Sequence, residues 1–402
     1  MDKDVSRKTL TQYSWFVPLI FLVARLMIVI TLPLEGLYGF GDIKHFYNLA
    51  QLGWPYLEYW VEFPPVFPYI SLLLYRLAGI REHTYLYLLV IFLSMVQAVT
   101  LFVFIKLCEL AYHEKEARWR IFMYAILTVG LVYGWWYFDP LAVLFTLLGI
   151  YYILSGRDTL AGLALAAGIL VKFFPILIIP SVWLFTTRRR ALKLTLIALG
   201  TALIVYFVLY LLSPSYTIAS LSSQFNKGSW ETIWALIDGN FKTGNFGPLV
   251  ERLNPIFAYD LQGNPARLSP LFTLLLFLIV GVWIFFRTRL DGPIPLIAFI
   301  GLTWCIFLIW SPGWSPQWVL YLIPFILLTL DERDAVLMTI ILILVNLLEW
   351  PVLLSRGYQW GLWLTIPLRT LVMLLLAWLW YQKISGRRSL PVRSINLQEA
   401  SD

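Results

Sequence analysis

Long apolar runs separated by short basic clusters set the rhythm of this chain. In the first half the runs cover residues 15–34, 85–107, 121–138, 141–154, 160–171, 173–185 and 192–212; in the second half they cover 270–286, 294–310, 317–330, 336–349 and 361–381. Most approach the roughly 20 residues that a helix needs to cross a bilayer. The ten-residue alternation of an outer-membrane barrel strand is absent. The pattern predicts an all-α, polytopic membrane protein with about twelve transmembrane helices. Residues 63–80 are aromatic and partly amphipathic, and are expected to lie along the interface rather than cross it.

Composition agrees with this class. Of the 402 residues, 60% are hydrophobic and 17% aromatic, and the mean hydropathy is +0.77, far outside the soluble range. The net charge of +7 does not indicate nucleic acid, because the basic residues sit in short clusters between spans, the distribution that orients a membrane protein. Cys108 and Cys305 fall in or beside apolar runs with no CxxC pair, so they predict neither a metal site nor a disulfide framework. The first run follows a polar, basic start and lacks a small-residue cleavage site, and reads as a retained signal anchor.

The basic clusters also predict sidedness. With a cytoplasmic N-terminus, Lys115/Arg118/Arg120, Arg157, Arg188/Arg189/Arg190/Lys193, Arg287/Arg289, Arg333 and Lys383/Arg387/Arg388 all fall inside, provided residues 63–80 do not cross. The stretch 159–187 then crosses twice, with Lys172 at its outer tip. Two segments offer enough backbone outside the spans to fold a pocket, 35–83 and 213–269, and both are expected on the extracytoplasmic face of a plasma membrane. The expected organisation is one transmembrane domain over 1–384 with a polar cytoplasmic tail over 385–402, both termini inside. No P-loop occurs, and Gly39-Phe40-Gly41 lacks the strand and third glycine of a dinucleotide fingerprint.

Several motifs occur in order on that outer face. They are Asp42-x-x-x-x-Tyr47-x-x-Ala50, Gly53-Trp54-Pro55-Tyr56, Glu62-Phe63-Pro64-Pro65, Phe138-Asp139-Pro140, Lys172-Phe173-Phe174-Pro175, and Ser315-Pro316-Gln317-Trp318 with Pro324. Together they resemble the GT-C class of membrane glycosyltransferases, most closely glycosyltransferase family 87, the polyprenyl-phosphate-mannose-dependent mannosyltransferases. The resemblance runs from the first span to about Pro324; Phe63 stands where the family often has Tyr. It implies a GT-C-like fold with interfacial helices in the first outer loop. It further implies transfer, with inversion, of a sugar, mannose by analogy, from a polyprenyl-phosphate donor to a lipid or glycan acceptor, and a catalytic aspartate that maps onto Asp42. No cofactor and no metal are expected.

Each candidate residue has a competing structural reading. Asp42 is the expected general base, yet it also stands where a carboxylate would cap the helix beginning at Ile43. Lys172 is the expected partner of the donor phosphate, with Lys44 and His45 as helpers, yet a lysine at a hairpin tip also snorkels to headgroups. Asp139, Glu62, Glu349 and Arg25 are further site candidates. Against them stand a helix start with Pro140 at its first turn, a Pro-Pro corner, and a pairing inside the bundle, which Arg25 requires at mid-span. Trp54, Trp60, Trp314 and Trp318 are candidates for stacking on a sugar, and segment 213–269 for a lid or acceptor-side wall. The alternative functions are a transporter or flippase of lipid-linked sugars, which the one-sided distribution of polar residues disfavours, and a non-catalytic scaffold.

Overall fold

A computed structural model describes residues 14–385 except 243 and 245; the polar N-terminal start and nearly all of the predicted tail lie outside the described residues. These are helical, with no strand beyond isolated bridges. The principal helices are α1 (Phe16–Thr31), α2 (Ile43–Ala50), α3 (Val66–Leu77), α4 (Glu82–Ala111), α5 (Glu114–Val129), α6 (Asp139–Leu154), α7 (Asp158–Val171), α8 (Ile179–Phe185) and α9 (Arg188–Leu212). After the short helices α10 (Pro214–Ser222) and α11 (Ile233–Asp238) come α12 (Pro270–Arg287), α13 (Pro293–Trp310), α14 (Val319–Thr329), α15 (Glu332–Leu347) and α16 (Leu362–Ile384).

Among the described residues, six helical segments are long and apolar enough to cross a membrane: Glu82–Ala111, Arg188–Leu212, Pro270–Arg287, Pro293–Trp310, Glu332–Arg356 and Gln359–Ile384. Six shorter apolar helices of 10–17 residues accompany them. The run expected over 121–138 differs in register. Its helix starts at Glu114 and ends at Val129 with Gly130 at its C-cap. The charged first turns belong to the helix because Arg120 is buried, donating to the carbonyls of Leu327 and Leu330 at the end of α14.

Burial of cations against helix ends recurs and explains how this core tolerates them. Arg25, fully buried in α1, donates to the carbonyls of Thr128 and Val129 at 2.9 Å and stacks 4.7 Å over Trp135. These carbonyls close α5, where the last turn has no intrahelical donors and carries partial negative charge. Arg190 holds Asp158 through two nitrogens at 2.8–3.0 Å, tying the start of α9 to that of α7. Between them α6, α7 and α9 pack closely through small residues: a Cβ on Gly162 would meet Ile197 of α9 at 2.7 Å, and one on Gly168 would meet Phe145 of α6 at 3.1 Å.

Segments 35–83 and 213–269 converge at one end of the bundle and are fastened to each other. Trp60 Nε1 donates to the carbonyls of Glu251 at 3.0 Å and Asn254 at 3.1 Å, the Val61 amide donates to Ser220 Oγ at 3.0 Å, and Glu62 pairs with Arg252. The other side of segment 213–269 is fastened to the turn after α13. Trp230 donates its amide to Pro312 and accepts from Trp314, at 3.1 and 3.0 Å. Trp230 lies flat against Gly313 and Gly244, where a Cβ would collide with its ring.

Candidate functional site

A cavity of about 870 Å³ opens where these segments meet, toward the upper end of the range for ligand sites. Asp42, His45, Glu62, Lys172, Lys227, Glu231, Asp238 and Arg252 bring charge to its wall, and Trp230, Trp234, Trp310, Trp318 and Trp350 bring aromatic surface. One rim is apolar, with Phe173, Ile176, Leu177, Leu268 and Pro270 beside the start of α12. That helix packs mainly on α13 and exposes most of its length.

Asp42 reaches the cavity through the Gly39-Phe40-Gly41 turn. A Cβ on Gly41 would collide with Trp136, and the Asp42 amide donates to the Trp136 carbonyl at 3.1 Å, so only glycine allows this approach. Asp42 occupies the N-cap position of α2, but its side chain makes no capping hydrogen bond. The carboxylate instead faces the cavity without a hydrogen-bond or ion-pair partner among the described residues. Burial pushes its pKa from 3.8 up to about 6; His45 pulls it down, Glu62 raises it, and Lys227 and Lys172 lower it.

Most of the other charges cancel locally. Lys172, at the turn after α7, lies 2.6 Å from Asp139 and is enclosed by the rings of Phe138, Phe174 and Trp318 at 5.3–5.5 Å. Glu62 and Arg252 form a two-pronged buried pair, with His45 Nε2 3.8 Å from Glu62. Burial opposes ionisation of Glu62, but Arg252, with His45 and Lys227, outweighs it and holds the group well below the usual carboxylate range. Asp238 accepts from Ser229 Oγ at 2.7 Å and from the Arg267 amide at 2.8 Å.

Lys227 is different. Its ammonium rests over Phe246 at 4.7 Å and Trp230 at 5.5 Å, and makes no ion pair or hydrogen bond among the described residues. Burial lowers its pKa; Arg252 and Lys172 act in the same direction, and Glu62 and Asp42 oppose them. With Asp238 held by its hydrogen bonds, the cavity is thus left, among the described residues, with two carboxyls that no cation pairs, Asp42 and the more deeply buried Glu231, and one unpaired cation, Lys227.

The predicted residues divide accordingly. Asp42, His45, Glu62 and Lys172 line the cavity, and Asp139 serves it indirectly as the counter-charge of Lys172. Lys44 does not belong to the cavity: it faces outward, 3.6 Å from Glu82 and more than half exposed, because the turn of α2 that directs His45 inward sends its neighbour out. Arg25 is committed to the carbonyls of α5. Glu349 is buried outside the cavity lining with Arg369 and Thr365 as its donors. Of the tryptophans considered for stacking, Trp318 lines the cavity; Trp54, Trp60 and Trp314 do not.

Sequence reasoning missed Lys227, Glu231 and Arg252, all within 213–269. Segment 213–269 is about as rich in charge as the chain as a whole, 13%, so composition offered no signal for them. No family model, curated protein or solved structure matches this chain.

Proposed function

We propose that the chain is an integral-membrane glycosyltransferase that moves a hexose from a polyprenyl-phosphate donor to a lipid-linked or membrane-near acceptor, with inversion at the anomeric carbon. The observation that carries this reading is the pair of unmatched opposite charges, Asp42 and Lys227, in one cavity with an apolar rim. Single displacement needs both charges. The acceptor oxygen forms the new bond to the anomeric carbon while the carbon–oxygen bond to phosphate breaks. The bonding pair leaves with the phosphate, and the acceptor proton passes to the Asp42 carboxylate. A base with a pKa near 6 accepts that proton more readily at neutral pH than an ordinary carboxylate, and cations at the departing phosphate stabilise its developing charge.

Lys227 and Lys172 form the cationic side. Asp139 holds Lys172 in place, and His45, resting against Glu62, flanks the base. The apolar rim beside α12 admits the prenyl chain from the bilayer while the phosphate and sugar occupy the polar interior. In this reading the segments form about twelve crossings of a plasma membrane, the cavity is extracytoplasmic, and the termini are cytoplasmic, as the basic clusters imply. Mannose is the sugar implied by the motif resemblance.

The test supplies purified protein in nanodiscs with polyprenyl-phosphate mannose and a panel of lipid acceptors, and follows sugar transfer or release. The wild type is expected to consume donor, and Lys227→Met to require at least tenfold more of it. Wild-type consumption no greater than that of Asp42→Asn would overturn the proposal.

A further inference from the structure

Glu231 is the cavity-lining carboxyl to which this chemistry gives no task. It lines the cavity yet is only 3% exposed. Its backbone is left-handed, φ +52°, a conformation that is strained for a residue bearing a Cβ. The strain is held from two sides. Arg369 donates to the Glu231 carbonyl, and the preceding Trp230 is fixed through the Pro312 and Trp314 backbone.

The same guanidinium lies 2.6 Å from Glu349, and Thr365 donates to the other Glu349 oxygen. Two buried carboxyls beside one arginine would leave an uncompensated charge unless the trio retains a proton. Glu349 already receives two donors, so the proton belongs on Glu231, whose side chain is hydrogen-bonded to Glu349 and keeps one oxygen, Oε2, without a partner. In agreement, burial, followed by the charge of Glu349, pushes the Glu231 carboxyl well above the usual range.

Between Glu231 and Asp42 the cavity wall is aromatic. Tyr137 lies near both carboxyls, and Phe40 and Trp350 adjoin it, with Trp350 Nε1 donating to the Phe40 carbonyl at 2.7 Å. A hexose has an apolar C–H face for such a wall and hydroxyls at its edge for the groups at either end.

We infer that Glu231 is a neutral sugar-recognition residue, hydrogen-bonding a hydroxyl of the donor hexose seated over Tyr137 and so setting which sugar is accepted. The inference deepens the transferase reading and rests on it.

The test compares the affinities of nanodisc-embedded wild type, Glu231→Gln, Glu231→Leu and Glu231→Asp for polyprenyl-phosphate mannose and for bare polyprenyl phosphate. Leu removes the hydrogen bond, and Asp withdraws the acid by one methylene. Each is expected to weaken the sugar-bearing lipid about tenfold and to leave the bare lipid within twofold. Glu231→Asp carries the test where Leu impairs folding. Gln, neutral and of the same length, is expected to stay within threefold of wild type for both lipids. In a series of monodeoxy donors, wild type should lose the same factor at one hydroxyl position, and Glu231→Asp should not.

Equal weakening of both lipids would reduce Glu231 to a fastener of segment 213–269, and a tenfold loss in the Gln variant would show that charge is required; either overturns the inference alone. A wild type that binds neither lipid overturns the transferase reading, and the inference with it.

Discussion

Asp42→Asn is expected to make the protein more stable and nearly inactive. Shifting a carboxyl from 3.8 to about 6 corresponds to a cost of about 3 kcal/mol for holding the charged form in the folded protein, at about 1.4 kcal/mol per pKa unit. The sign follows from proton binding. The folded state holds the Asp42 proton more tightly than the unfolded state, so stability falls as pH rises from about 4 to about 6, and the full cost is present above that window. Asparagine carries no charge and removes it. The variant should therefore gain about 1–3 kcal/mol at pH 8, the lower part of the range reflecting the access of cavity water to the carboxylate, and nothing near pH 4. A capping role predicts no such gain, because asparagine caps about as well as aspartate and no capping bond exists here to lose. Turnover should fall by roughly 10²–10⁴, the usual contribution of a general base. Thermal unfolding in nanodiscs at pH 8 and at the lowest tolerated pH, paired with donor consumption, reads both effects. A variant that melts below wild type at pH 8 refutes the buried-charge reasoning, and one that turns over near the wild-type rate refutes the base.

Wild-type turnover should be half-maximal near pH 6 and fall about tenfold per pH unit below it, as Asp42 must be ionised to accept a proton; a profile flat down to pH 5 would remove Asp42 from the chemistry. Lys172→Met should cost about 3–5 kcal/mol by leaving Asp139 buried and uncompensated, and Lys172→Met with Asp139→Leu should recover most of it. Equal melting of the single and double variants would show that a stranded Asp139 charge is not what the loss of the 2.6 Å pair costs.

The helices were legible in the sequence because apolar runs of this length have few other uses. The error over 121–138 arose where a charged stretch joined the helix: Arg120 finds its partners on α14, more than 200 residues away, and no local pattern encodes that. Asp42 was legible because carboxylates are scarce and the adjacent glycines announced a close approach. Lys172 was legible as a cation at a tip and Asp139 as a carboxylate opening a helix, but they stand 33 residues apart with no local sign that the two meet. Lys227, Glu231 and Arg252 were not legible. They lie in a segment without periodicity; the partners of Glu231 and Arg252, Arg369 and Glu62, are 138 and 190 residues distant, and Lys227 meets only the rings of Trp230 and Phe246 within its own irregular segment. Arg369 itself was readable in principle, since an ionisable residue in each of two neighbouring apolar runs calls for pairing.

The fastenings of segment 213–269 decide how a ligand enters. Swinging the segment away from 35–83 would break the buried Glu62–Arg252 pair, at about 3–5 kcal/mol, together with the Trp60 and Val61 hydrogen bonds, each worth about 1 kcal/mol. The opposite edge is held by Trp230 and by Arg369. On the proposed reading such a segment acts as a wall rather than a lid, which leaves the apolar rim beside α12 as the way in for the donor's hydrocarbon tail. A disulfide across the fastening separates wall from lid. The Val61 amide lies 3.0 Å from Ser220 Oγ, which brings the two chains within reach of a Cys–Cys link, and the native Cys108 and Cys305 are buried. Oxidised Val61→Cys/Ser220→Cys protein should consume donor within about threefold of its reduced form. A collapse of turnover on oxidation, reversed by reductant, would mean that the segment must open in each cycle and that the rim is not the route.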